Sequence, residues 1–431
     1  MTEGTKLPEA VGSRGMMNPN QMNIRRLVDD DNLMVPERFV AGRPYEDWRT
    51  LRRQCPVYWS QPKGFRPYWS ITRHADIVEV ETRSDIFLNE PRFMIMDAGF
   101  ESYVNDNFGH INNLLKLLVQ MDAPEHTQHR ALLQPWLTPK SVAARQQQVE
   151  EICQRHFDRL CENGKEGEID FARGIAFWFP LRVVCALLGT PEEDDEYLQK
   201  VSEELLSFQA PRPGEKSGFE KMLDYCGAIA EDRRKNPCDD LSSFLVQAEI
   251  DGQPLQPREL LAHFLIVATA GHDTAATAIM GGVKALAENP DQWRLLRDDP
   301  AKIPAAVEEI LRWVSPNLQF ARTAKEDYVL NCRLIRKDES LALIYPSANR
   351  DETVFDQPDK FMVTRTPNPH LAFGAGAHSC VGSQLARMEL RCFFKMFVER
   401  IAHLEFSEPA TLLPTNVVTR FARMPVRYRF N

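Results

Sequence analysis

The sequence predicts a mainly α fold with small β sheets, gathered in a single domain. Three observations predict it. Apolar residues recur at helical spacing through most long segments. The β-like pieces are few and short. No internal repeat, low-complexity tract or linker divides the chain. Its 431 residues would suggest two or three domains at about 150 residues each. With no boundary in sight, one large domain over 41–431 is the expectation, after a loosely ordered lead-in over 1–40. That lead-in is polar and charged at its start, with Pro8, Pro19 and several Gly and Asn residues.

The elements follow in chain order. Residues 68–83 read as a short strand and then a helix starting near His74. Residues 141–165 carry apolar residues at helical spacing and stop at Asn163-Gly164. Residues 179–190 form a buried helix closed by Gly189 and Pro191. Residues 257–289 give about thirty positions of nearly unbroken helix pattern, and Pro290 begins a further helix. The 304–314 helix is stopped by Pro316. Residues 328–335 and 340–346 are β-like, and 382–401 is a final long helix.

Composition excludes some functions. The chain is 43% hydrophobic and 26% charged, as expected for a packed core. Its net charge of -9 argues against broad nucleic-acid binding, which needs a basic footprint. The apolar run near 261–284 resembles a membrane span, but only thirteen residues separate Glu259 from Asp273, and His263 and His272 interrupt the run. A span needs about 20 mostly apolar residues, so a buried helix and no membrane contact are expected. The start shows no secretory pattern, and the nine cysteines are odd in number, scattered and without CxxC. A reduced, cytoplasmic setting is expected.

One loop concentrates the chemistry: HLAFGAGAHSCVG, residues 370–382. As a dinucleotide loop it fails, because Gly374 and Gly376 are followed by Ser379 where GxGxxG needs glycine. As a Walker loop it lacks lysine. As a zinc site it offers His378 and Cys380 without a second pair. A nucleophilic Cys380 with His378 as base stays open. So does a cysteine thiolate binding haem iron axially, with glycines giving a flat macrocycle room and backbone N–H groups tuning the sulfur.

The pattern Phe373-Gly374-x-Gly376-x-His378-x-Cys380-x-Gly382 resembles the haem-ligand signature of the cytochrome P-450 family. Further motifs carry the same resemblance. Glu309 and Arg312 stand three apart, about seventy residues before the cysteine. On a helix they share a face, and alone they would read as a surface ion pair. AGHDT, 270–274, resembles the family's oxygen-side motif; alone, its threonine would read as bonding back to the carbonyl four residues earlier. HTQHR, 126–130, and ARTA, 321–324, complete the set. The likeness runs from about residue 45 onward, and IVATAGHDT and YPSANRDETVF are similar to bacterial members that hydroxylate monoterpene alcohols.

The resemblance implies a haem b between two long helices and the insertion of one oxygen atom of O2 into a substrate. Cys380 becomes the axial iron ligand, with Phe373 covering it and Gly374 giving room. His378, His126, Arg130 and Arg322 are implied to hold the haem propionates. Glu309, Arg312 and Arg365 form a structural charge network. Thr274 is implied to meet the dioxygen and hold a water, and Asp273 to relay protons from solvent. Pocket candidates by position are Phe93, Met94, Ile95, Met96, Ile266, Thr269, Ala270, Leu318, Phe320, Val417 and Val418. They suggest a small apolar substrate: terpenoid, aromatic or steroid-like. No flavin or iron–sulfur motif is seen, so electrons from NAD(P)H are expected through a ferredoxin reductase and a ferredoxin. The stripe Arg387, Arg391, Lys395, at four-residue spacing, is the expected docking patch on a monomer. Two other functions compete: a peroxide-driven peroxygenase or decarboxylase, and a haem-thiolate sensor. Asp273-Thr274 disfavours both.

Overall fold

The computed structural model describes residues 26–108, 115–162, 164–206 and 214–431. Helices dominate, and the β structure falls into small sheets. The largest has five strands in the order 57–60, 68–71, 340–344, 319–324, 87–88. Its pairs are antiparallel except 68–71 with 340–344, where Leu341 lies opposite Trp69. Strand 425–430 alternates buried and exposed residues between 401–406 and 166–170 in a second sheet.

The long apolar pattern at 257–289 is two helices, Pro257–Ala270 and Asp273–Glu288. The expected unbroken helix is corrected by its own side chains. Thr269, His272 and Thr274 turn back onto the carbonyls of Leu265 (2.7 Å), Ala268 (2.8 Å) and Ala270 (3.1 Å). Carbonyls engaged by side chains lean away from the helical ladder, and the helix bends there. Gly271 sits at the bend because a Cβ would lie 2.6 Å from the Val184 side chain.

Other expectations shift as well. The 141–165 helix is Pro139–Ala143 followed by Gln146–Glu162, since Pro139 follows the Thr138 cap, which accepts from the Ser141 N–H at 3.2 Å. The single β piece 328–335 is a hairpin, with left-handed Asn331 and Cys332 forming its two-residue turn. Residues 340–346 hold a strand to Ile344 and then a helical turn, Tyr345–Ala348. Residues 1–25 of the expected lead-in lie outside the described residues. From Asp30 the chain is helical and packed: Leu33, Met34 and Phe39 join a core with Trp48 and Leu51. Order therefore begins before residue 41.

The main core surrounds the broken helix. The Ser383–Arg400 helix sends Phe393 among Phe157, Phe171, Phe179 and Phe397. Among the described residues, no helix is long and apolar enough to cross a membrane.

Candidate haem-thiolate site

The Ile303–Val314 helix supplies Glu309 and Arg312, both 0% exposed. They are no surface pair. Arg312 donates to both Glu309 oxygens, at 2.7 and 2.8 Å. Arg365 Nε donates to the same carboxylate at 3.0 Å, and the Met362 N–H at 2.8 Å. The remaining guanidinium hydrogens go to the carbonyls of Asn349, Asp356, Gln357, Pro358 and Lys360. Two cations thus share one anion and a ring of carbonyls, which makes burial of the charge tolerable. This network fixes the segment leading into the cysteine loop, where Asn368 also donates to Glu309 (3.2 Å).

Within the loop the Cys380 N–H donates to the Phe373 carbonyl at 2.8 Å. Burial raises the Cys380 thiol. The Gly382 N–H and the charges of Arg130 and Arg387 act in the other direction and favour a thiolate. Phe373 carries the Arg387 guanidinium 4.5 Å over its ring. The loop glycines also meet the protein itself. Gly374 and Gly376 are left-handed, with φ of 66° and 64°, and pack on the end of the His74–Thr82 helix. A Cβ on Gly376 would lie 2.2 Å from the Glu81 carbonyl oxygen.

The loop floors a cavity of about 1000 Å³. Cys380, Phe373, Gly374 and His378 line one side, and Thr269, Ala270, Gly271, Asp273 and Thr274 of the broken helix also line it. His126 and Arg130, from the Glu125–Leu133 helix, enter together with Arg322 from strand 319–324. His126 and His378 lie ring against ring, with centroids 3.9 Å apart. Burial lowers His126 to about 4, with Arg130 and Arg322 adding to it. Burial lowers His378 to about 2, with Arg322, His126 and Arg130 adding to it. Among the described residues no acceptor meets the Arg130 guanidinium. Two neutral imidazoles and two guanidiniums thus converge on the cavity, where Arg322 faces one carboxylate, Glu81. A guest bringing carboxylates suits them, and the propionates of haem fit.

Toward the broken helix, Asp273 stands 3.3 Å from His272 Nε2 and 3.6 Å from Arg420 Nε. Thr274 bonds back to Ala270, and its side chain still lines the cavity. Of the pocket candidates, Phe93, Met94, Ile266, Thr269, Ala270, Phe320 and Val418 line it. Ile95 and Leu318 face a separate core instead. Met96 and Val417 are not among the lining residues either; Val417 accepts from the Leu318 N–H at 2.7 Å. The docking stripe is also corrected. Arg387 donates to Glu308 at 2.8 and 2.9 Å, so its charge is taken, while Arg391 and Lys395 are exposed. Glu308, which sequence reasoning missed, also meets His370 Nε2 at 3.1 Å. Its doubled position beside Glu309 was the available signal.

A cysteine thiol and a broken helix lining one cavity, with imidazole and guanidinium groups at its edge, are the arrangement of a haem-thiolate enzyme. A family model described as Cytochrome P-450 matches residues 302–430. The chain is 33% identical over 400 residues to cytochrome P-450-terp of Pseudomonas sp, covering 89% of this chain and 93% of that one. It is 33% identical over 374 residues to a steroid C26-monooxygenase of Mycolicibacterium smegmatis, covering 84% and 85%. The crystal structure of CYP108D1 from Novosphingobium aromaticivorans superposes with a TM-score of 0.86 at 30% identity, covering 94% and 99%. CYP268A2 of Mycobacterium marinum, in complex with pseudoionone, gives 0.82 at 30%, covering 94% and 100%. The chain belongs to the cytochrome P-450 family, and it is a haem-thiolate monooxygenase that works with haem iron and O2.

Proposed function

We propose that this enzyme hydroxylates a small apolar substrate of terpenoid, aromatic or steroid size, with electrons from NAD(P)H passed through a ferredoxin reductase and a ferredoxin. The observation that carries the proposal is one cavity lined both by Cys380 and by the Asp273-Thr274 turn of the broken helix. When bound, the haem activates dioxygen so that one atom enters the substrate and the other leaves as water.

The chain's own residues do the rest. Cys380 ligates the iron as a thiolate. His126, Arg130, Arg322 and His378 hold the two propionates. The Thr274 hydroxyl swings from its back-bond to hold a water, and Asp273, kept near the cavity by Arg420 and His272, passes protons inward. Phe93, Met94, Ile266, Phe320 and Val418 give the apolar wall that orients the substrate and excludes water. A terpenoid or steroid preference rests on the names of the relatives. Arg391 and Lys395 are the docking cations for the ferredoxin. A monomer in the reduced cytoplasm is part of the same proposal.

The test is an optical titration of the haem-loaded protein with terpene alcohols, substituted aromatics and sterols. A true substrate shifts the Soret band from low to high spin. It is then hydroxylated with label from 18O2 only when ferredoxin and reductase are present. Turnover with peroxide and none with ferredoxin would refute the electron route. Loss of the thiolate-type carbon-monoxide band in Cys380→Ala checks the ligand.

A further inference from the structure

Glu81 is a buried carboxylate with no part in the roles given so far. It lies in the last turn of the His74–Thr82 helix, is 3% exposed and lines the haem cavity. Its Oε1 accepts from the Tyr345 hydroxyl at 2.7 Å and faces Arg322 Nη2 at 3.5 Å. Its Oε2 accepts from the Ala375 N–H at 2.8 Å, inside the cysteine loop. The guanidinium and the amide can only donate, and the phenol donates too. A carboxylate, which accepts at both oxygens, satisfies all three. Burial raises the Glu81 acid, and Arg322, the Tyr345 hydroxyl and the Ala375 N–H oppose that rise. The same residue presses its backbone on Gly376. One side chain therefore touches both the arginine at the haem edge and the loop that carries Cys380.

We propose that Glu81 is a positioning residue that shares Arg322 with a haem propionate, ties that arginine to the cysteine loop, and lowers the reduction potential of the iron. The inference rests on the propionate role of Arg322 given above. The physical reason is charge. Reduction adds an electron, and a buried anion beside the haem edge disfavours it, more strongly than it would in water. Arg322 can neutralise one carboxylate fully or two in part. With Glu81 present it is divided, so the haem edge stays more negative than Arg322 alone would leave it. Tyr345 spreads part of the Glu81 charge through its hydrogen bond.

Potentiometric titration of the haem-loaded, substrate-free enzyme tests this. Glu81→Gln keeps the shape and removes the charge, so the midpoint shifts positive. Tyr345→Phe keeps the charge and removes the donor that spreads it, so the midpoint shifts negative. A packing role alone does not give opposite signs at two contacting residues. Unchanged potentials, or shifts of the same sign, overturn the inference. If Glu81→Gln does not fold, the sign in Tyr345→Phe decides alone. Arg322→Gln separates the two readings, since losing a cation shifts the midpoint negative if Arg322 serves the propionate. Should Arg322→Gln shift it and Glu81→Gln leave it unmoved, only the Glu81 inference falls. Should neither move it, the propionate reading falls with it. Amide exchange at Ala375 gives a second readout: faster exchange in Glu81→Leu supports the tie to the loop, and unchanged exchange removes it.

Discussion

The two walls of the cavity are built on opposite principles. Under the cysteine loop, the charges of the Glu309 network are buried and paired. Glu309 alone meets Arg312, Arg365, Asn368 and the Met362 N–H. At the broken helix, the hydroxyls are satisfied locally, Thr269 and Thr274 each by a carbonyl one turn earlier. The first wall holds one geometry because any displaced member leaves a buried charge unpaired. The second can exchange partners at low cost, since a hydroxyl that leaves its carbonyl meets a water or a ligand. A fixed metal ligand needs the former, and proton handling beside a varied substrate needs the latter.

The contrast breaks most visibly at Glu309. Glu309→Ala strands Arg312 and Arg365 in the core and should cost about 3–5 kcal/mol. Thermal unfolding and haem content check this, and a stable, haem-replete variant would erase the distinction between the walls. The next effect is an acid one on the 257–270 helix. Burial lowers His263 to about 3, and the neighbouring His129, 3.0 Å away, adds to it. The folded state keeps this imidazole neutral, while the unfolded chain protonates it near 6.5. Stability is therefore fully present above about pH 6.5 and is lost as pH falls toward 3. That amounts to about 2 kcal/mol between pH 7 and 5. Urea midpoints should show a flatter pH slope in His263→Gln than in the wild type.

A smaller effect is expected outside the cavity. Arg391→Glu with Lys395→Glu should slow ferredoxin-driven reduction by up to about tenfold and flatten its salt dependence. Arg387→Glu should instead disturb the Phe373 cover, since Arg387 is bound to Glu308; stopped-flow reduction and the carbon-monoxide spectrum tell the two apart. The smallest change in stability belongs to the second wall. Thr274→Val should alter it by less than about 0.5 kcal/mol, while more reductant is consumed per product formed. A melting shift as large as that of Glu309→Ala would show the walls to be alike.

Much of the fold was legible. The helices at 74–82, 178–188 and 303–314 lie where the pattern puts them. The interruption at 271–272 was less legible, because alanine, threonine and valine read as helix whether or not side chains take their carbonyls. The cavity walls were legible only by half. Phe93 and Met94 line the cavity while Ile95 turns to the core, which no composition signal distinguishes.

By itself the sequence determined the chemistry. Phe373 to Gly382, Glu309 with Arg312, and Asp273 with Thr274 are local patterns, and spacing along one chain suffices to display them. Tertiary structure alone decided which charges are spent. Glu81 reaches Ala375 across 294 residues, and Arg387 reaches Glu308 across 79. Such pairings depend on how helices and sheets are stacked, and the energy of a charge depends on what lies within a few ångströms of it rather than on its neighbours in the chain.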